Sequence, residues 1–232
     1  MKKSVLILFF SCCFCSIIFG QINYPTKDSS HIFWQPNLKI TYNDYIGEPT
    51  QEIKKIMDEY GFSASASVGI WSILDIPKKK KDRYKKMEKV YFAPAFERTT
   101  SFTETHDSLE IVMQNTYFDI CEIWARWARK ELANLQKEMN ATGVLTTFYM
   151  TVKDEMNENR IKMYKAYFKD VFADKKENSF GEWRNTIDKL LEETKEWATT
   201  PEECFRLMIG KPLEKDYIQA PTVIGNLKFE KN

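Results

Sequence analysis

The chain has 232 residues, of which 43% are hydrophobic and 29% are charged, a composition that suits one globular domain and excludes disordered and collagen-like chains. Its net charge of +1 excludes a global basic field of the kind that recruits nucleic acid. The chain contains only two histidines, His31 and His106. No site built from several imidazoles can therefore form.

The amino terminus has the pattern of a secretory signal peptide over residues 1–20. A charged start, Lys2-Lys3, precedes an apolar run that ends at small Gly20. The run has about 15 residues, fewer than the ~20 that a membrane-spanning helix needs. We therefore expect residues 21–232 to form a single exported domain, periplasmic or extracellular, with no transmembrane span after signal removal.

Cysteine usage leaves two questions open. Cys12, Cys13 and Cys15 lie within the apolar segment, so a lipid-anchored cysteine is the alternative to simple cleavage. Cys121 and Cys204 remain in the mature chain. They either pair as a disulfide in an oxidising compartment or bury separately as small apolar residues.

Residues 33–102 carry strand signals, with apolar and polar residues alternating over 38–42 and 64–73. The candidate strands are 38–42, 64–73, 90–93 and 99–102. Between the first two, Pro49 and Gly61 bracket a short helix over 51–60. A lysine-rich run at 78–86 separates two strands, and we expect it to form a solvated hairpin loop, with a contact to anionic lipid as the alternative.

The pattern becomes helical from Asp107, which has the spacing of a capping box with Glu110. Apolar residues then recur at helical spacing opposite a polar stripe that includes Asp119, Glu122 and Arg126. Glu122 and Arg126 stand in the favourable i,i+4 order, so the stripe favours a structural ion pair over acid–base catalysis. Three more helices are predicted over 154–172, 181–197 and 201–208.

These elements predict an α+β fold. We expect a small, mostly antiparallel amino-terminal sheet packed on the long helix and on the carboxy-terminal helices.

The long helix also carries a family likeness. It reads Phe-Asp-Ile at 118–120, then Glu122, then Trp-Ala-Arg at 124–126. In this register the chain resembles the domain-of-unknown-function 922 family, exported bacterial proteins described as zinc-dependent peptidases, whose members carry H-E-Q-x-H before the same segment. Weaker likenesses lie at residues 34–47, 64–70, 101–102 and 178–183. The resemblance implies a metallopeptidase-like architecture.

The positions that this resemblance assigns to zinc chemistry are substituted. The two helix histidines correspond to Met113 and Tyr117, the glutamate general base to Gln114, and a later histidine to Phe180. Glutamine cannot take a proton from water, a thioether is a weak partner for zinc, and a phenyl ring has no lone pair. At these four relic positions we therefore expect no catalytic residue, no metal and no cofactor. They are either core residues or the lining of an apolar ligand cleft.

Other candidate residues have simpler interpretations. Cys121 and His106 are imaginable as a nucleophile pair, which would need a depressed thiol pKa and direct contact. We expect His31 to be exposed, and Trp124 and Trp127 to anchor the core rather than to bind a sugar.

The sequence therefore predicts a non-catalytic, exported relative of zinc peptidases. It would bind an unidentified peptide or envelope protein, or serve a structural role in the cell envelope. The alternative is a hydrolase that uses a different constellation, with metal held by carboxylates such as Asp119 and Glu122. A third interpretation is a membrane-surface protein held by the basic loop or by a lipidated cysteine.

Overall fold

A computed structural model of the chain describes residues 23–221, so the predicted signal peptide lies outside the described residues. The helices and strands are β1 (His31–Phe33), α1 (Gln51–Tyr60), β2 (Ala64–Ser65), β3 (Val68–Pro77), β4 (Lys89–Glu97), β5 (Phe102–Thr103), α2 (Ser108–Met139), α3 (Val144–Phe168), α4 (Ser179–Glu193), α5 (Pro201–Ile209) and β6 (Tyr217–Gln219). The fold class is α+β, as the sequence predicts.

The main sheet has four strands in the order β1-β4-β3-β6, and β2 pairs separately with β5. Every pairing between these strands is antiparallel. The β3–β4 hairpin forms the centre, with a register that runs from Val68 opposite Phe96 to Asp75 opposite Lys89. The basic run forms the loop of this hairpin, as expected.

Both faces of the sheet are covered by helices. Successive side chains of a strand point to opposite faces, and β4 shows this alternation clearly. Phe92 packs against Ala128 and Leu132 of α2, whereas Ala93 packs against Leu207 of α5. The long helix and the short carboxy-terminal helix therefore enclose the central strands from opposite sides.

The start of α2 differs in part from the sequence prediction. Asp107 caps the helix by accepting a backbone N–H of its first turn. Glu110 does not complete a capping box, because its carboxylate accepts the backbone N–H groups of Ser63 and Ala64. The helix ends at Asn140 in a left-handed conformation. Glu110 thus ties the first turn of α2 to β2.

The strand predicted over 38–42 is wrong. This segment is irregular and runs into a 3-10 turn at Tyr42–Asp44. Ile40 packs into the core, and its carbonyl accepts an N–H from the Asn115 side chain at 3.1 Å. A side chain therefore satisfies the backbone here, and the alternating pattern reflects contact with α2 rather than a ladder. The strand predicted over 99–102 is also displaced and forms as β5.

The helix predicted over 154–172 begins ten residues earlier, at Val144. Gly143 precedes this helix and has no side chain to cap it, but the Glu88 carboxylate accepts the Gly143 N–H at 2.6 Å. The negative charge also suits the positive end of the helix. A π-helical turn, Lys169–Ala173, continues the element.

The remaining helices agree with prediction. The Thr200 side chain caps α5 within a capping box that includes Glu203, and α1 ends at Gly61 in the left-handed region. Within residues 23–221, no helix is both long enough and apolar enough to cross a membrane.

Candidate functional site

The four relic positions line two neighbouring cavities. Met113 and Phe180 line a cleft of about 440 Å³, which we term the relic cleft. Gln114 and Tyr117 line a smaller cavity of about 190 Å³, and Phe62 contributes to the walls of both cavities. Met113 of α2 and Phe180 of α4 therefore share one cavity, whereas Gln114 and Tyr117 line the other.

Tyr117 is enclosed by aromatic rings. Its ring centroid lies 4.9 Å from that of Tyr164, 5.0 Å from that of Tyr167 and 6.4 Å from that of Phe172. Burial raises the pKa of the Tyr117 phenol. The phenol therefore stays neutral, and its ring contributes packing rather than a phenolate ligand.

Gln114 holds the backbone just after β2 to α2. Its side chain is 5% exposed, and its amide oxygen accepts the Ala66 N–H at 3.4 Å. One turn earlier, Glu110 accepts the Ala64 N–H at 2.8 Å. Residues four apart lie on one face of a helix, so both side chains reach the same backbone segment. The position that the resemblance gives to the general base therefore has a structural contact.

The donors at the relic positions do not fit zinc. Zinc sites in proteins use thiolate, imidazole and carboxylate donors, usually four in a tetrahedron. The relic positions offer a thioether, an amide oxygen already in a hydrogen bond, a neutral phenol and a phenyl ring. Elsewhere in the part of the chain that the structure describes, no three His, Cys, Asp or Glu side chains lie close enough to hold a metal ion.

The Glu122–Arg126 part of the polar stripe is buried. Glu122 is fully buried and accepts the Arg126 Nε–H at 2.8 Å, which is the predicted i,i+4 pair. It also accepts the Thr199 backbone N–H at 2.9 Å and the Thr199 hydroxyl at 2.6 Å. Both carboxylate oxygens are thus engaged in hydrogen bonds with Arg126 and Thr199.

Arg129 extends this polar cluster to three further elements. Its Nε–H donates to Glu203 at 2.8 Å, and its other nitrogens donate to the carbonyl oxygens of Trp197 and Phe92, each at 2.6 Å. Glu203 accepts the Thr200 N–H with its second oxygen. The cluster therefore ties α2, α5 and β4 together. These distant partners of Arg129 have no local signal in the sequence.

Asp119 belongs to a different environment from Glu122. One oxygen accepts the indole N–H of Trp34 at 2.8 Å, and the other accepts an N–H of Arg184 at 2.8 Å. Asp119 and Arg184 lie together on the wall of a third cavity, of about 460 Å³. The two carboxylates that the sequence suggested as a pair therefore have separate partners.

No family model, curated protein or solved structure matches this chain. The likeness to the domain-of-unknown-function 922 family therefore stays a prediction.

The structure does not bring the imagined Cys121–His106 pair together. The Cys121 sulfur lies 2.7 Å from the Tyr164 hydroxyl, and burial raises the pKa of its thiol to about 11. The His106 ring packs instead against Tyr42, at 4.7 Å between centroids. A buried, protonated thiol is a poor nucleophile, so Cys121 is a packing residue.

Three further expectations can be compared with the structure. Cys121 and Cys204 are both free and buried. The expectation that His31 is exposed is wrong, because its ring packs edge-on against Trp71 at 4.6 Å. Trp124 and Trp127 contact each other and pack against the core, as predicted.

Proposed function

We propose that the protein is exported, to the periplasm or outside the cell, and acts there without catalysis. It binds an apolar segment of a peptide or of an envelope protein in the relic cleft. The observation that carries this proposal is the cleft of about 440 Å³ between Met113 and Phe180. This cleft, with apolar and charged walls, supports a binding role at the positions that the resemblance assigns to metal chemistry.

The walls of the relic cleft suit an apolar side chain beside a polar backbone. Ligand sites are concave, mostly apolar and supplied with a few polar groups. Met113, Phe172 and Phe180 provide the apolar part, and methionine adapts to ligands of varied shape. The polar and charged residues of the lining include Asp107, Glu110, Lys175 and Lys176.

Export is supported by the sequence pattern alone. Lys2-Lys3 followed by an apolar run of about 15 residues is typical of a cleaved signal. Lipid anchoring through one of the early cysteines remains the competing proposal for how the protein is held.

The test compares binding with cleavage of one probe, fluorescein-labelled unfolded casein. We expect residues 21–232 to bind it, measured by anisotropy, and to leave it intact on a gel, with or without added Zn²⁺ or EDTA. Phe180→Asp should weaken binding about tenfold, because a charge replaces apolar contact. Ile161→Asp is the matched control, since this residue is 43% exposed on α3, and it should bind as the unchanged protein does.

Two results would contradict the proposal. The first is stoichiometric zinc in the purified protein, measured by elemental analysis. The second is cleavage of casein. If cleavage is also lost in Asp119→Asn while the fold is kept, the hydrolase interpretation replaces ours.

The hydrolase alternative has less support from the geometry. Both oxygens of Glu122 are engaged by Arg126 and Thr199, and Asp119 contacts other residues. The membrane-surface alternative stays a prediction, based on the lysines of the β3–β4 loop.

A further inference from the structure

The loop between β3 and β4 concentrates positive charge. Residues 78–87 contain seven cations and one acid, Asp82, so their net charge is +6. Residues 21–232 carry −1 in total, because the net charge of +1 for the whole chain includes Lys2 and Lys3. The part of residues 21–232 outside the loop therefore carries −7. Such a separation of charge orients the loop toward an anionic surface.

Most of these cations are not neutralised within the fold. Arg83 donates from Nε to the Pro77 carbonyl at 3.0 Å, and Lys86 pairs with Asp216. The other five cations have no ion pair within residues 23–221, and all of them are exposed: Lys78, Lys79, Lys80, Lys81 and Lys85. Five amines are therefore available to a partner outside the chain.

The base of the loop is fixed to the segment that leads into β6. The Lys78 N–H donates to the Asp216 carbonyl at 2.8 Å, and the Tyr217 hydroxyl donates to the Met87 carbonyl at 3.0 Å. Between these two contacts, a 3-10 turn covers Lys80–Asp82. The lysines are thus held together at one end of the main sheet.

An aromatic side chain lies among these lysines. Tyr84 is 85% exposed, and Met87 beside it is 40% exposed. Tyrosine is enriched at membrane–water interfaces, where its ring lies at the level of the lipid headgroups and its hydroxyl reaches water. Lysines near such a surface are attracted to anionic headgroups. The loop therefore combines two side-chain types that hold proteins at an anionic lipid surface.

The shape of the loop favours a lipid surface over a nucleic acid. Proteins bind single strands in positively charged grooves that follow the backbone of the strand. Here the free lysines lie instead on the exposed end of a hairpin. A bilayer is a broad anionic plane, so several lysines at the end of one hairpin can contact it together.

We propose that the β3–β4 loop docks the protein on the surface of an anionic phospholipid bilayer. Its five free lysines contact headgroup phosphates, and the Tyr84 ring inserts between the headgroups. This surface is separate from the relic cleft, so membrane attachment goes beyond the function proposed there.

The test measures co-sedimentation of residues 21–232 with sucrose-loaded vesicles. One set contains phosphatidylcholine alone, and the other contains equal parts of phosphatidylcholine and phosphatidylglycerol. We expect at least tenfold stronger binding to the anionic vesicles. Added salt should release the protein, because it screens the attraction between exposed charges.

Paired lysine variants locate the contact. Lys80→Gln with Lys81→Gln should weaken binding to anionic vesicles at least tenfold, because each lysine near the surface contributes about a fivefold factor. Lys54→Gln with Lys55→Gln makes the same charge change at exposed positions of α1. This control should weaken binding by less than about threefold, because α1 precedes the other end of β3.

Two further variants test the ring and the independence of the two sites. Tyr84→Ala should weaken binding about threefold or more, whereas Tyr84→Phe keeps the ring and should bind as the unchanged protein does. Phe180→Asp in the relic cleft should leave vesicle binding unchanged, so failure of the casein test and failure of this one are distinguishable.

The proposal is overturned if the protein does not prefer anionic vesicles, or if the two paired lysine variants lose binding equally. It is also overturned if oligothymidine binds more tightly than anionic vesicles, which would assign the lysines to nucleic acid. Equal binding by Tyr84→Ala and Tyr84→Phe would overturn the insertion of the ring.

Discussion

Gly47 occupies a position where two backbone segments approach closely. Its N–H donates to the Ser101 carbonyl at 2.8 Å. A Cβ at Gly47 would lie 2.5 Å from the Thr99 carbonyl oxygen and 2.9 Å from that of Ser101. Both neighbours are backbone atoms, which cannot rotate away as a flexible side chain would. A larger residue therefore requires the two segments to separate.

We expect Gly47→Ala to lower the free energy of unfolding by about 1–3 kcal/mol, the usual cost of overpacking. Gly69→Ala is the matched control, because a Cβ there meets nothing within 4 Å, and it should change stability by less than about 0.5 kcal/mol. Urea unfolding followed by circular dichroism measures both. Equal losses in the two variants would show that close approach is not the cause.

The polar stripe shows how far single residues can be predicted. The pairing of Glu122 with Arg126 follows from their i,i+4 spacing. Their complete burial does not, because the other partner, Thr199, lies 77 residues away from Glu122. Charged residues are almost never fully buried unless they are paired. The sequence showed one pair but not the enclosing contacts.

At the scale of elements, α5 is held to the sheet by a buried ion pair. Arg206 donates to Asp75 of β3 with Nε at 2.6 Å and with Nη2 at 2.5 Å. The two side chains are 0% and 1% exposed. A nine-residue helix has little stability of its own. Its position therefore depends on this pair and on the apolar contacts beside it.

We expect Arg206→Met to lower the free energy of unfolding by about 3–5 kcal/mol, because it leaves the Asp75 carboxylate buried without its partner. The double variant Asp75→Leu with Arg206→Met removes both charges and should recover most of this loss. A double-mutant cycle from urea denaturation measures the coupling. A double variant as unstable as Arg206→Met alone would contradict this account.

Elements with strong local signals were predictable, and those fixed by distant partners were not. The apolar run of β4, the α1 boundaries and the Thr200 cap all follow from neighbouring residues. The start of α3 was missed because Glu88, far away in the chain, supplies the group that caps it. The segment 38–42 was misjudged because its alternation arises from packing on α2.

The candidate site also has features that the sequence predicts and features that it does not. In the sequence, the resemblance sets Met113 and Tyr117 against the family's two histidines and Gln114 against its glutamate. The position of Phe62 on the walls of both cavities cannot be predicted from the sequence, because it depends on how α1 leads into β2.

Over the whole molecule, both thiols of the described chain are buried in the folded state. Burial raises the pKa of Cys121 from an ordinary value of 9.0 to about 11, and that of Cys204 to about 12. In the unfolded chain both thiols ionise near pH 9, whereas the folded protein keeps them protonated. The unfolded state therefore releases protons between pH 9 and pH 11, and stability falls as the pH rises through this window.

As the pH rises from 8 to 10, each thiol ionises in the unfolded chain. We expect this ionisation to lower the free energy of unfolding by about 1 kcal/mol per cysteine. Cys121→Ala and Cys204→Ala should each reduce this pH-dependent loss by about that amount, whatever their effect at pH 8. Urea midpoints measured at both pH values with a phosphine reductant give the comparison. An unchanged loss in both variants would exclude the thiols as its source.

The aromatic enclosure of Tyr117 also bears on how this chain can evolve. Replacing Tyr117 with the smaller histidine would remove the phenol ring that contacts three other aromatic rings. The void left behind would lower the free energy of unfolding by about 2 kcal/mol or more. This step toward an imidazole pair thus lowers stability before any ion can be held. The packing around Tyr117 therefore opposes its exchange for histidine, and selection for a stable chain preserves this packing.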